Sequence, residues 1–135
     1  MIKLIIGAKG SGKTKALVEA TNSTIDTSKG AVVFVAKGKK LIHEIKYQAR
    51  MIDTEEYKIA DSHAFYGLIA GVISSNYDAN DIFVDSALKI IENDVEEFAK
   101  LVPMLDELAA AHEVNITLTS SITKEDLPEN LVKYL

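Results

Sequence analysis

Eight consecutive residues near the start of this 135-residue chain have the types and spacing to hold phosphate. Gly7-Ala8-Lys9-Gly10-Ser11-Gly12-Lys13-Thr14 fits the pattern G-x-x-x-x-G-K-[ST] at every defined position. Glycines let backbone N–H groups turn inward and approach phosphate oxygens without a side chain in the way. A helix opening near Gly12 would add its free N–H groups and the positive end of its dipole. Lys13 would reach the β- and γ-phosphates of a nucleotide, and the Thr14 hydroxyl would take one position on Mg²⁺. The competing reading is a glycine-rich turn that binds nothing.

A second candidate lies far along the chain. Asp81-Ile82-Phe83-Val84-Asp85-Ser86 is an apolar run that ends in a carboxylate. Asp85 could hold Mg²⁺ through a water while Thr14 binds the ion directly. It could equally cap the helix that follows.

These residues need a scaffold, and the pattern supplies one. Ile2 to Ile6 reads as a short apolar strand, and Lys13 to Asn22 as a helix with Ala16, Leu17 and Ala20 on one face. Thr24 to Gly30 is polar and reads as a connection. Ala31 to Ala36, AVVFVA, is a β-branched and aromatic run expected of a strand covered on both faces. Together they make a βαβ unit. Leu41 to Ala60 reads as a short helix and then a strand near Ala49 to Asp53. Asp61 or Ser62 caps a helix to about Ser74, in which Gly67 and Gly71 suit close packing on a sheet. A long helix is expected from about Lys89 to Ala111, started or kinked by Pro103. Val114 to Thr119 is the last strand, and Pro128 precedes a final helical turn. Tyr57, Tyr66 and Tyr77 could each stack on an adenine or belong to the core.

Alternating strands and helices indicate an α/β fold of three layers with a mainly parallel sheet of about five strands. Residues 1–135 are read as a single domain. Ligands of such sheets sit beyond the carboxyl ends of the strands. Those ends are Gly7 to Thr14, Lys37, Asp85-Ser86 and Thr119-Ser120-Ser121.

Composition limits the alternatives. The apolar content of 47% can build a core in a chain of this size without staples. No cysteine is present, which removes disulfides, thiolate metal sites and a cysteine nucleophile, and suits a reducing cytoplasm. The absence of any run of ~18 apolar residues argues against a membrane span. A net charge of −5 argues against broad nucleic-acid binding, and Lys37, Lys39 and Lys40 form the only notable basic cluster. Arg50 is the sole arginine, whereas enzymes that phosphorylate small acceptors usually clamp phosphate with several.

The loop, the Ile82 to Ser86 run and the strand ending in Ile116-Thr117-Leu118-Thr119-Ser120-Ser121 resemble P-loop NTPases, more narrowly the RecA and KaiC recombinase-like branch. The resemblance implies a P-loop NTPase fold with ATP and Mg²⁺ as ligands, and Asp85 in the Walker B position. It also implies that Thr119 or Ser120 senses the γ-phosphate, so that Lys13, Thr119 and Ser120 are the candidate catalytic residues. Short bacterial proteins of this kind tend to carry a twitching-motility (PilT-like) label, but the acidic and histidine-containing boxes of secretion motors are missing here. A ParA-type loop would have a second lysine where this chain has Ala8. The guanine-reading N-K-x-D motif is absent, which favours ATP over GTP.

The sequence also departs from the pattern. Recombinase-like ATPases place a catalytic Glu at the end of the second strand, where this chain has Lys37. Many relatives place it directly after the Walker B Asp, where this chain has Ser86. Glu44, Asp53 or Glu92 would have to substitute, and Arg50 could act as a finger only toward a neighbouring subunit. The expectation is a cytoplasmic ATP- and Mg²⁺-binding protein with slow or partner-stimulated hydrolysis, with or without self-association. The alternatives are a non-catalytic nucleotide-dependent regulator and a small nucleoside or metabolite kinase resembling thymidine kinases.

Overall fold

The computed structural model describes residues 1–76 and 78–135. Tyr77, one of the three tyrosines considered for stacking, lies outside the described residues. Five strands form one sheet in the order β1-β5-β4-β2-β3, and every pairing is parallel. They are β1 (Ile2–Gly7), β2 (Ala31–Ala36), β3 (Arg50–Asp53), β4 (Ala79–Val84) and β5 (Asn115–Ser121). The helices are α1 (Lys13–Thr27), α2 (Ser62–Ser75), α3 (Ala87–Ile90) and α4 (Val95–His112), with a 3₁₀ helix at Glu129–Tyr134.

Alternation along the strands divides the core into two. Val32, Phe34, Ala36 and Phe83 pack with Leu17 of α1 and with Leu41, Ile45 and Ala49. Val33, Val35, Ile82, Val84, Ile116 and Leu118 point the other way, onto Phe65 and Ile69 of α2 and onto Phe98, Val102 and Leu105 of α4. The result is helix, sheet and helix in three layers, as the pattern of elements indicates. Phe34, Phe65 and Phe98 are fully buried, each worth about 1.5–3 kcal/mol of transfer free energy.

Several local expectations are corrected. Helix α1 continues five residues beyond Asn22 to Thr27. Its hydroxyl residues fold back on it: Thr21 Oγ1 donates to Leu17 O at 2.7 Å and Thr24 Oγ1 to Ala20 O at 2.8 Å. Its buried positions are Leu17 and Thr21, whereas Ala16 is exposed. Leu41 to Ala49 is a series of turns rather than a short helix, although Leu41, Ile45 and Ala49 are buried at a spacing of four. That stretch runs back along α1, where Lys46 N donates to Asn22 Oδ1 and Asn22 Nδ2 to Glu44 O. It must run back, because β3 is parallel to β2 and begins at the other end of the sheet.

The long helix expected from Lys89 is two helices. Glu92 and Asn93 are left-handed, with φ of 59° and 58°, and the chain restarts at Asp94. The Asp94 carboxylate caps α4 by accepting from Glu97 N at 3.0 Å. Pro103 lies well inside α4 and has no N–H for the Ala99 carbonyl. Asn130 Nδ2, from the 3₁₀ helix, donates to that carbonyl at 3.0 Å. Helix α2 follows expectation, with Asp61 Oδ1 accepting from Ala64 N at 2.8 Å. Gly67 and Gly71 do not pack on the sheet, however. Both are exposed and line a groove of about 650 Å³ between α2 and the edge strand β3.

Candidate functional site

The site is built where β1, β5 and β4 end. Strand β1 stops at Gly7, and the chain turns through Gly10 (φ 83°) and Gly12 (φ 92°) before α1 begins. A side chain at either glycine would strain the left-handed backbone, which is the local reason for both. Gly12 gives α1 no side-chain cap, and Ala16 N to Gly12 O is the first helical bond. The N–H groups of Lys13, Thr14 and Lys15 therefore lie ahead of the hydrogen-bonded turn. Lys13 Nζ folds over the loop and donates to Ala8 O at 2.8 Å. Ala8, Lys9, Gly10, Ser11 and Gly12 are exposed, and Lys13 and Thr14 are half-buried.

The decisive contact joins residues 71 positions apart. Thr14 Oγ1 donates to Asp85 Oδ1 at 2.9 Å. Thr14 reaches it because α1 starts above the face of the sheet toward which Asp85 projects. Thr119 completes the group. Its Oγ1 accepts from Ser86 N at 2.8 Å and donates to Asp85 Oδ1 at 3.4 Å. Topology makes this possible, since β5 lies between β1 and β4. The register sets Val84 opposite Leu118, and so Asp85 opposite Thr119. Ser86, held in the left-handed region at φ 55°, donates its Oγ to Asp85 Oδ2 at 3.3 Å. Asp85 does not cap α3, whose N-cap is Ser86 without a side-chain cap bond.

Ser120 stands apart from this group. It alternates with Thr119 and therefore points to the opposite face, where it is fully buried and its Oγ has no hydrogen-bond partner. Of the two residues considered for the place beside Asp85, the geometry puts Thr119 there and Ser120 on the other face.

The three substitute carboxylates also separate. Glu44 lies on the turns beside α1, with its carbonyl bound to Asn22. Glu92 is exposed in the left-handed turn after α3. Asp53 does reach a strand end, but its Oδ1 accepts from Gly38 N at 2.8 Å and Glu55 N at 3.0 Å, which fixes the two loops at the sheet edge. Arg50 opens β3 at the end of the sheet opposite the loop. Tyr57 is exposed and Tyr66 half-buried against the core.

Chemically, the loop offers an ammonium and the free N–H groups of a helix terminus to an anion, while Ser11 N is bonded to Ala8 O at 3.1 Å. Thr14 and Asp85 offer two hard oxygen ligands to a cation. Among the described residues no three His, Cys, Asp or Glu side chains converge on a metal position. A cation here would need phosphate oxygens and water to fill its shell, which is the usual manner of Mg²⁺. The 2.9 Å bond from Thr14 Oγ1 to Asp85 Oδ1 leaves Thr14 able to bind such an ion directly while Asp85 holds it through a water. Beside Ala8 a depression of about 480 Å³ opens between Leu88, Asn93 and the Ser121 to Asp126 segment. None of the described helices is long and apolar enough to cross a membrane. Compared with known protein families and with curated proteins, the chain matches no family model and no curated relative.

Proposed function

We propose that this chain is a Mg²⁺-dependent nucleotide-binding protein of the P-loop NTPase kind, with ATP as its ligand. The observation that carries the proposal is the 2.9 Å bond between Thr14 of the loop and Asp85 of β4. That bond brings the last residue of the loop to the strand-end carboxylate, the arrangement that an ion shared by Thr14 and Asp85 requires. In this reading the N–H groups of Gly7 to Thr14 and the Lys13 ammonium hold the phosphates. Thr14 and Asp85 orient the ion, whose charge would offset that of the β- and γ-oxygens. Thr119 bridges Asp85 and the Ser86 N–H, and so couples the ion-orienting carboxylate to the start of α3. The resemblance to the RecA and KaiC branch supports the same assignment.

Turnover is expected to be slow or to await a partner. Lys37 and Ser86 stand at the strand ends where hydrolysis would want a carboxylate, and Asp53 is engaged by two backbone N–H groups. Positioning of the attacking water is most of what a protein contributes to this reaction. The same observation favours a second reading, a regulator that binds nucleotide and signals without cleaving it. The absence of cysteine fits a cytoplasmic setting for either. The experiment is to follow γ-phosphate release from ATP and GTP over hours, with wild type and Lys13→Ala. Slow release lost in the variant supports the first reading, and binding without release supports the second. Rapid release unaffected by Lys13→Ala contradicts both.

A further inference from the structure

Strand β3 is an edge of the sheet whose outer side is unpaired. It is bonded only to β2, and Thr54 N just beyond it donates to Ala36 O at 2.9 Å. Successive residues of a strand aim their N–H and C=O groups to opposite sides. Arg50 and Ile52 therefore face β2, and Met51 and Asp53 face outward. No proline interrupts β3, and among the described residues no bond outside the β2 ladder reaches the Met51 N–H or C=O. Such a row is a template for a further strand. The residues around it are self-complementary. Lys46 and Arg50 precede the centre of the strand, and Asp53, Glu55 and Glu56 follow it. Lys46 is paired with Asp26, whereas Arg50, Glu55 and Glu56 are exposed and form no ion pair among the described residues. Tyr47 and Tyr57, one on each flank, are 91% and 61% exposed.

We infer that two copies of this chain associate through β3, paired antiparallel about a two-fold axis at Met51 and perpendicular to the sheet. The two Met51 residues exchange their outward N–H···O=C bonds, and the two sheets become one of ten strands. The axis sets the Lys46 to Arg50 end of each β3 against the Asp53 to Glu56 end of the other, unlike charge against unlike. It also puts Arg50 of one copy beside Ile52 of the other, on the face where Val33 and Val35 pack. That face carries the groove lined by Ile52, Leu68 and Val72 and left open by Gly67 and Gly71. The apolar stem of the second copy's Arg50 covers part of it. Tyr47 and Tyr57 fall at the two ends of the seam. Four such rings, two from each copy, bury at most about 600–1,000 Å², a large part of the about 1,200 Å² that a specific interface needs. The inference is independent of the nucleotide reading. Strand β1 is the far edge of each sheet, so Arg50 of one copy stands about 24 Å from the loop strand of the other and is no finger for it.

The test is sedimentation of the full chain from about 1 μM to about 1 mM. Wild type should approach twice the chain mass as concentration rises. Met51→Pro removes an outward N–H and leaves the β2 ladder intact, and should stay monomeric throughout. Arg50→Glu should weaken the dimer about tenfold, and adding Glu55→Lys and Glu56→Lys should restore it to within about threefold of wild type. Tyr47→Ser with Tyr57→Ser should weaken it by at least about tenfold without lowering the melting temperature. A wild type that is monomeric at every concentration overturns the inference and leaves this edge to a different partner. A dimer that persists in folded Met51→Pro overturns it as well. Should that variant fail to fold, the charge exchange decides: no loss in Arg50→Glu, or a loss that the exchange does not repair, overturns the pairing.

Discussion

Replacing Thr119 by valine keeps the shape of a buried side chain and removes one hydroxyl. That hydroxyl accepts the Ser86 N–H at 2.8 Å and donates to Asp85 at 3.4 Å. Thr119 is 1% exposed, so no water replaces it at the Ser86 N–H. An orphaned buried donor costs about 1–3 kcal/mol, and the long bond to Asp85 adds little. With a urea slope of about 1–3 kcal/mol/M, the unfolding midpoint should drop by about 1 M. Ser120, one residue on, provides the contrast. Its hydroxyl is fully buried without a partner, so Ser120→Ala removes a desolvated polar group. That change should leave stability unaltered or raise it by up to about 2 kcal/mol. Urea denaturation of both variants beside wild type reads the difference directly. A neutral Thr119→Val together with a Ser120→Ala that loses more than about 1 kcal/mol would refute the assignment of the two hydroxyls.

Two further predictions concern the scaffold under the site. Asn130→Ala should cost about 0.5–1 kcal/mol by freeing the Ala99 carbonyl, and that cost should vanish in a Pro103→Ala background, where residue 103 regains its N–H. Strictly additive losses in the double-mutant cycle would contradict the pairing of Asn130 with the proline gap. Asp94→Ala should lower stability by about 1 kcal/mol through loss of the α4 cap. An unchanged melting temperature would show that the break between α3 and α4 does not depend on that bond.

Some of this architecture is legible in the residues themselves. The βαβ unit is readable because AVVFVA has the unbroken apolar character of a strand buried on both faces, and the loop before α1 has its glycines at fixed offsets. Asp61 announces α2 because a short carboxylate before an apolar, helically spaced run can take up a free N–H. The break between α3 and α4 is harder to see. Ile90, Ile91, Val95 and Phe98 keep up an apolar rhythm across it, and only the Asn93-Asp94 pair with Glu97 signals a new start. The end of α1 is hidden for a different reason. Thr21 and Thr24 look like linker residues until their hydroxyls are seen bonded back to Leu17 and Ala20. Leu41, Ile45 and Ala49 imitate a helical stripe because turns against α1 bury residues at the same interval.

The candidate site divides in the same way. Gly7 to Thr14 is local and can be read from spacing alone. The choice between Thr119 and Ser120 is not local, because it depends on which face each residue presents. That is fixed by the insertion of β5 between β1 and β4, with its register, and no short stretch of sequence encodes such long-range pairing.

The central claim is that the Gly7 to Thr14 loop binds a nucleotide. Calorimetric titration of ATP with Mg²⁺ into folded wild type and Lys13→Ala tests it most directly. Saturable binding at one site per chain, lost in a Lys13→Ala protein that melts like wild type, is the predicted result. No binding by folded wild type, or equal affinity in the variant, would contradict the claim.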